Sequence, residues 1–419
     1  MFRSSKVVMR HRHLLGISLV RRLLRKEDMN FELSEQERDF QDNLRQWLED
    51  NLPAGWGETV FEPVDLHEKI AFLKDWSRKL HEAGYAGLNW PKEYGGAGAT
   101  LMEQVIFNEE VARLKAPTPY NGIAIGMVGP TLIEVGTEDQ KKRYLSKMLN
   151  CEEIWCQGYS EPGSGSDLAS LQTRAEADGD EFVVNGQKVW TSNAHDAAYC
   201  FLLARTDPEV PKHKGLSCFI VDMQSPGITV RPLKQITGEA EFNEVFFENV
   251  RVPRENLVGD LNNGWMVGIG LLMHERATTS ILNQSNVQVL VQELMELAKQ
   301  TGRNTDPVIR QRLTQLYTES QAVKHFGYRN LTKRLRGLPP GPEGSAHRLS
   351  LTLLTQRAQE LAMELQGPYS QLMHGSSHAV QDGAWQFSFL RSRSATIAAG
   401  TAEIQRNIIA ERVLGLPKG

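Results

Sequence analysis

Hydrophobic and polar positions fall into three successive patterns along this chain. From about residue 34 to 150 the apolar residues recur at helical spacing. Ser34 and Glu37 form a capping box, and Phe40, Leu44, Trp47 and Leu48 then line one helical face. Ile70, Leu73 and Leu80 form a second face that ends near Gly84. A third helix is predicted over roughly 101–115, and Thr137 with Gln140 opens a short fourth one. After about residue 151 the pattern switches to short runs of Val, Phe, Tyr and Thr, broken by Asp178-Gly179-Asp180, Asn185-Gly186 and Ser225-Pro226-Gly227. The run Phe182 to Trp190 reads as a hairpin about the Asn185-Gly186 turn. Phe201–Ala204, Cys218–Val221 and Val245–Phe247 read as further strands. Strands do not alternate with helices here, so an antiparallel β-domain is expected rather than a parallel nucleotide-binding sheet. From about 262 helices return. Val287, Leu290, Val291, Leu294 and Leu297 make a stripe ended by Gly302. Beyond the breaker segment 337–344, Leu354, Ala358, Leu361, Ala362 and Leu365 have bundle periodicity.

The expected architecture is therefore α+β and multidomain: an N-terminal α-helical domain (29–150), a middle β-domain (151–260) and a C-terminal helical bundle (261–419). Residues 1–28 are a basic extension. Arg3, Lys6, Arg10, Arg12, Arg21, Arg22, Arg25 and Lys26 precede any acid. A mitochondrial presequence has this character, which would send the protein to the matrix. The alternative is an upstream extension of a bacterial reading frame that starts at Met29 and yields a cytoplasmic protein. Met29 opens directly onto the first helix, which favours the second reading.

Composition removes several classes. A formal net charge of −4 over 419 residues offers no basic surface for nucleic acid. No apolar run approaches the ~18–20 residues that span a bilayer. Cys151, Cys156, Cys200 and Cys218 have neither CxxC spacing nor a disulfide framework.

Candidate chemistry is sparse when each segment is read alone. Glu161-Pro162-Gly163-Ser164-Gly165-Ser166-Asp167 follows a short strand, and its glycines and hydroxyls would admit a phosphate; taken alone, a plain surface loop is the favoured reading. Trp190 is either core or a platform for a flat cofactor, with Ser192 as a donor beside it. His374 and His378 have metal-helix spacing, but Gly375-Ser376-Ser377 is poor helix and no third ligand is suggested. Lys141-Lys142-Arg143 reads as a solvated face. No GxSxG elbow and no Cys–His pair point to nucleophilic catalysis. Glu275 follows Leu271, Leu272 and Met273 in an otherwise apolar helix. It is a surface acid or, facing a cavity, a general base with a raised pKa.

Taken in order, four segments resemble the acyl-CoA dehydrogenase family. They are Gly87-Leu88-Asn89-Trp90-Pro91-Lys92-Glu93-Tyr94-Gly95-Gly96, Tyr159-Ser160-Glu161-Pro162-Gly163-Ser164-Gly165-Ser166-Asp167, Asn185-Gly186-Gln187-Lys188-Val189-Trp190-Thr191-Ser192 and Gly400-Thr401-Ala402-Glu403-Ile404-Gln405-Arg406. The resemblance implies an FAD enzyme that removes a proton and a hydride from adjacent carbons of an acyl-CoA. A trans-2-enoyl-CoA forms, and the electrons pass to an electron-transfer flavoprotein. It implies that Ser160 bonds the isoalloxazine, that Gly165 and Ser166 lie near the pyrophosphate and thioester, and that Trp190 packs on the ring. Ser192 would reach the N5 edge, Gly400 and Thr401 would touch flavin and substrate, and Gly367 would meet the FAD of a neighbouring subunit. Ser166, Arg276 and Gly400 are the substrate-binding residues on this reading.

Two departures from the family pattern matter. Most relatives carry a glutamate before the Gly-Thr of the C-terminal turn; here Ala399 stands there. A minority place the base on a bundle helix immediately before an arginine, which Glu275-Arg276 matches. The Ala399 backbone amide keeps a role as donor to the thioester oxygen. The second departure is Arg303-Asn304-Thr305-Asp306-Pro307, shorter than the family's FAD-contacting stretch, with Arg303 as the substitute. Shortening there is similar to bacterial enzymes built from two different subunits, so the expected assembly is a homotetramer or a heterotetramer with a related chain. A catalytically silent partner subunit and an oxygen-using acyl-CoA oxidase are the competing functions.

Overall fold

The computed structural model describes residues 32–54, 56, 66–338 and 341–418. The side chains at 66 and at 275–281 lie outside that description, as does the basic extension 1–28.

The amphipathic stripes at the N-terminus become α1 (Glu35–Asn51), α2 (Leu66–Glu82), α3 (Leu101–Arg113), α4 (Gly129–Val135) and α5 (Glu138–Leu149). Full capping boxes at Ser34/Glu37, Thr100/Glu103 and Thr137/Gln140 fix three of the helix starts. Leu44 and Leu48 of α1 pack with Trp76 and Leu80 of α2 and Val111 of α3.

Eight strands follow: β1 (Trp155–Gly158), β2 (Arg174–Asp178), β3 (Glu181–Ser192), β4 (Tyr199–Arg205), β5 (Leu216–Asp222), β6 (Ile228–Leu233), β7 (Phe242–Pro253) and β8 (Leu257–Val258). Their order is β6-β7-β3-β2-β4-β5-β8, with β1 beside β4. Most pairs are antiparallel; β1 and β2 run parallel to β4. Both faces are buried, one against the N-terminal helices and one inside the sheet's own fold.

The expected hairpin at Asn185-Gly186 is wrong. β3 runs straight through that dipeptide, and the chain reverses instead at Gly179, between β2 and β3. The register slips opposite this dipeptide, between Val184 and Gly186, and the extra residue of the bulge lies on β7, where Asn249 takes φ +53° and donates its N–H to Asn185 Oδ1 at 2.8 Å. A Cβ on Gly186 would lie 2.4 Å from Thr173 Oγ1, so the glycine serves a close approach rather than a turn.

The C-terminal bundle is α6 (Gly264–Gln300), α7 (Pro307–Leu335), α8 (Gly344–Gln366), α9 (Ala384–Ser392) and the short α10 (Ala402–Ile408). The 287–297 stripe of α6 packs on Ile309, Leu313 and Leu316 of α7 and on Leu354, Leu361 and Leu365 of α8. Lys141-Lys142-Arg143 is a solvated face at Lys142 and Arg143, while Lys141 is largely covered. Lys141 pairs with Glu138, and Arg143 bonds Glu153 and Tyr199 Oη. His374 and His378 lie in a loop, not on a helix; His374 Nδ1 meets Asp382 instead. Among the described residues no three His, Cys, Asp or Glu groups could hold a metal, and no helix is long and apolar enough to cross a membrane.

Candidate active site

The loop after β1 is fastened from beneath. The Glu161 carboxylate accepts the Gln172 N–H at 2.6 Å, the Thr173 N–H at 2.8 Å and the Lys188 ammonium at 2.9 Å. Lys188 is fully buried and also donates to the Tyr159 carbonyl at 3.0 Å. Burial pushes the Glu161 carboxyl up, but Lys188 and the Thr173 and Gln172 donors outweigh it and hold it below the usual range. Burial in turn depresses the Lys188 ammonium, with Glu161 opposing. Ser164 and Glu161 exchange two backbone hydrogen bonds, and Ser164 Oγ donates to the Asp167 carbonyl at 2.8 Å. With its base locked, the loop presents Gly163, Gly165 and Ser166 outward, and open space lies where either glycine's Cβ would stand. A groove of about 430 Å3 runs beside it, past Gly163, Ser164 and Thr173.

The same loop reaches the next feature directly, because the Val189 N–H donates to the Ser160 carbonyl at 2.9 Å. One residue later comes Trp190. A second register slip on β3, between Lys188 and Thr191, puts Trp190 in the left-handed region at φ +61° and turns its side chain out of the sheet. The indole is 59% exposed, while its neighbour Thr191 is fully buried. A bulky residue at positive φ is a genuine outlier and stores strain that surrounding structure must support. The support is visible. Asn243 Nδ2 donates to the Thr191 carbonyl at 3.0 Å, Ser192 pairs with Phe242, and the Phe242 ring meets the indole edge-on at 6.1 Å.

The third segment is the turn after α9. Ala399 (φ +50°) and Gly400 (φ +92°) are consecutive left-handed residues, and Ile397, Ala398 and Ala399 are exposed. Thr401 caps α10 by accepting the Ile404 N–H, and Gln405 Nε2 holds the Gly400 carbonyl. Among the described residues no group accepts the Ala399 N–H. Arg391 of α9 approaches Glu241 at 3.7 Å and lies over the Phe242 ring at 5.6 Å, so the bundle meets the sheet beside Trp190.

Ser160, Trp190 and Ser192 are thus gathered at one bulge. Arg303 and Gly367 form a separate group: Arg303 Nη1 donates to the Glu364 carbonyl three residues before Gly367, itself at φ +57°. No hydrogen bond, ion pair or ring contact among the described residues ties that group to Trp190. Glu275 and Arg276 lie in α6, and their side chains are outside the described residues. The sequence reading passed over Lys188, Phe242 and Arg391. Alternation from the buried Phe182 and Val184 signals an inward Lys188; nothing local marks the other two.

An exposed aromatic face, a loop with two unobstructed glycines and an unbonded backbone N–H together suit a large planar ligand carrying phosphates. Residues 34–152, 156–250 and 262–414 match the N-terminal, middle and C-terminal domains of acyl-CoA dehydrogenase in turn. The chain belongs to the acyl-CoA dehydrogenase family. It is an oxidoreductase of CH–CH groups, and family membership implies a flavin cofactor. The chain is 40% identical over 392 residues to acyl-CoA dehydrogenase IpdE1 of Mycolicibacterium smegmatis, covering 91% of this chain and 98% of that one. It is 41% identical over 382 residues to IpdE1 of Mycobacterium tuberculosis, with the same coverage. Among solved structures, the Tcur3481-Tcur3483 steroid acyl-CoA dehydrogenase superposes with a TM-score of 0.83 at 31% identity, covering 93% of this chain and 100% of that one. The ChsE4-ChsE5 complex of Mycobacterium tuberculosis gives 0.80 at 30% identity with the same coverage.

Proposed function

We propose that this acyl-CoA dehydrogenase uses FAD to desaturate the α,β-bond of an acyl-CoA thioester and passes the electrons to an electron-transfer flavoprotein. The observation that carries the reading is Trp190, an exposed indole held at φ +61° beside a glycine-bearing loop. Bound there, FAD supplies the acceptor for the β-hydride. The chain's own residues do the rest. Ser160, Gly165, Ser166, Trp190, Ser192, Gly400 and Thr401 hold the cofactor, and Arg303 and Gly367 serve a cofactor across a subunit boundary. The Ala399 N–H donates to the thioester oxygen, lowering the cost of the enolate as it forms. That donor is backbone, so alanine suffices. Glu275 takes the α-proton, and Arg276, Ser166 and Gly400 face the substrate.

The test is anaerobic stopped-flow bleaching of the flavin by a good acyl-CoA. Glu275→Gln keeps volume and polarity, so fold and FAD content should survive while bleaching slows by ~10²- to 10⁴-fold. Bleaching at the parent rate would remove Glu275 from the mechanism. The substrate panel should include ring-bearing acyl groups, because the Tcur3481-Tcur3483 relative, at 31% identity, is a steroid acyl-CoA dehydrogenase. That relative and the ChsE4-ChsE5 complex are pairs of different chains, which supports a tetramer built with a related second subunit or, failing that, a homotetramer. Light scattering of an FAD-loaded monomer would overturn that assembly. The named relatives are bacterial, which supports a cytoplasmic setting over a mitochondrial one.

A further inference from the structure

We infer that Arg391 is a positioning residue that ties the Trp190 platform to the Ala399 turn and sets the distance between them. The inference rests on the flavin reading above for its functional meaning, but not for its geometry. Trp190 sits on a strained bulge of the sheet, and the turn at 397–401 hangs exposed from the bundle. The two segments are more than 200 residues apart in sequence, and Arg391 touches the supports of both.

On the sheet side, its guanidinium lies over Phe242 at 5.6 Å and approaches Glu241 at 3.7 Å. Phe242 is the ring that meets the Trp190 indole edge-on, at an interplanar angle of 80°. The Glu241 carbonyl accepts the Asn193 N–H at 2.7 Å, three residues beyond Trp190 on the same strained stretch. On the bundle side, Arg391 Nη1 donates to Ser394 Oγ at 2.8 Å, and Ser394 Oγ donates back to the Arg391 carbonyl. The Ser394 carbonyl accepts the N–H groups of both Ile397 and Ala398, the two residues before Ala399. A single planar cation therefore reaches the ring under the indole with one face and the start of the donor turn with an edge. Arg suits this because its fork bonds in one direction while its plane stacks in another; an ammonium does one or the other.

The consequence is a split effect. Loosening the tie leaves substrate affinity to the loop and groove but blurs the alignment of indole and amide, so turnover falls and KM stays. The experiment compares Arg391→Ala, Arg391→Lys and Phe242→Leu in the full chain, with and without flavin. The first readout is the near-UV circular dichroism of Trp190, taken as the difference between each variant and the same variant carrying Trp190→Phe. The second is kcat and KM for the acyl-CoA that bleaches the parent fastest. Arg391→Ala should shift the Trp190 signal and lower kcat about fivefold or more, the scale of one lost cation–ring contact, with KM within about twofold. Arg391→Lys should restore part of the Trp190 signal but less of kcat, because it cannot keep both sides. Phe242→Leu should move the Trp190 signal as Arg391→Ala does. If Arg391→Ala leaves the Trp190 signal in place, the proposal is overturned whatever happens to the rate. If Arg391→Ala does not fold, an Arg391→Lys variant with parental signal and kcat overturns it equally. A parent chain that binds no flavin would instead defeat the reading of the site, while the flavin-free Trp190 measurement would still judge Arg391.

Discussion

Two segments of the proposed site are held in opposite ways. The loop 159–167 is bonded from below by a buried ion pair, with three donors converging on Glu161. The turn 397–401 is exposed, and its restraints come from the flanks: Arg348 on the Ala398 carbonyl, Gln405 on the Gly400 carbonyl and Thr401 as a helix cap. The first belongs to the folding core of the β-domain. The second lies at the edge of the bundle, restrained only from its flanks. Changes to the loop should therefore be felt as stability, and changes to the turn as catalysis where they displace its backbone N–H.

The largest expected effect tests the loop. Glu161→Ala strips the acceptor from two backbone N–H groups and leaves the Lys188 ammonium buried without its partner. Breaking a buried pair in this way costs about 3–5 kcal/mol. Lys188→Met should cost less, because Glu161 keeps its two backbone donors. Chemical denaturation measures both, and a Glu161→Ala change under 1 kcal/mol would erase the contrast drawn above. The pH dependence has a definite sign. The folded carboxyl lies below its ordinary value of 4.5, so between the two values the unfolded chain binds more protons. The Glu161 contribution is thus complete above about pH 4.5 and is lost as pH falls through the folded value. Glu161→Gln should lack that acid-side loss, which melting curves from pH 3 to 6 would reveal.

Trp190→Ala sharpens the comparison from the other side. Its ring is mostly in solvent, so the flavin-free protein should change stability by less than ~0.5 kcal/mol. Flavin binding should weaken by about fivefold, the scale of one stacked aromatic face. Lys188 and Trp190 stand two residues apart on one strand, yet the charged residue is the buried one. Equal losses of stability and flavin in equilibrium dialysis and melting would mean that the indole is core after all.

That inversion also shows what the sequence could disclose. The three-domain order was legible because helical and alternating periodicities are long-range and redundant; Leu44/Leu48, the 287–297 stripe and the capping boxes at Ser34/Glu37 and Thr137/Gln140 each repeat the same message. The bulges were not legible. Strict alternation from Phe182 and Val184 sends Lys188 inward correctly and would send Trp190 inward as well. A one-residue register slip reverses it, and that slip is set by pairing with β7 more than 50 residues away. The Asn185-Gly186 pair was misread for the same reason: its turn chemistry is real, but Thr173 and the β7 partner keep it inside the strand, with the bulge opposite it at Asn249. The resemblance to a family named the flavin loop and the Trp190 motif, while Arg391 emerges only where α9 and β7 touch.

The smallest expected effect concerns Ala399 itself. At φ +50° an alanine bears the left-handed penalty of about 1–2 kcal/mol, which glycine does not. Ala399→Gly also enlarges the freedom of the unfolded chain, an opposing loss of roughly 0.5–1 kcal/mol. The net change should be a gain of at most ~1.5 kcal/mol. Because the N–H is backbone, it survives the substitution, so flavin bleaching by acyl-CoA should stay within about threefold of the parent. Thermal melting and stopped-flow bleaching on the same preparation decide the matter. A large rate loss with unchanged melting would mean that the methyl group, and not the amide alone, shapes the turn, and the turn would then be as strictly built as the loop opposite it.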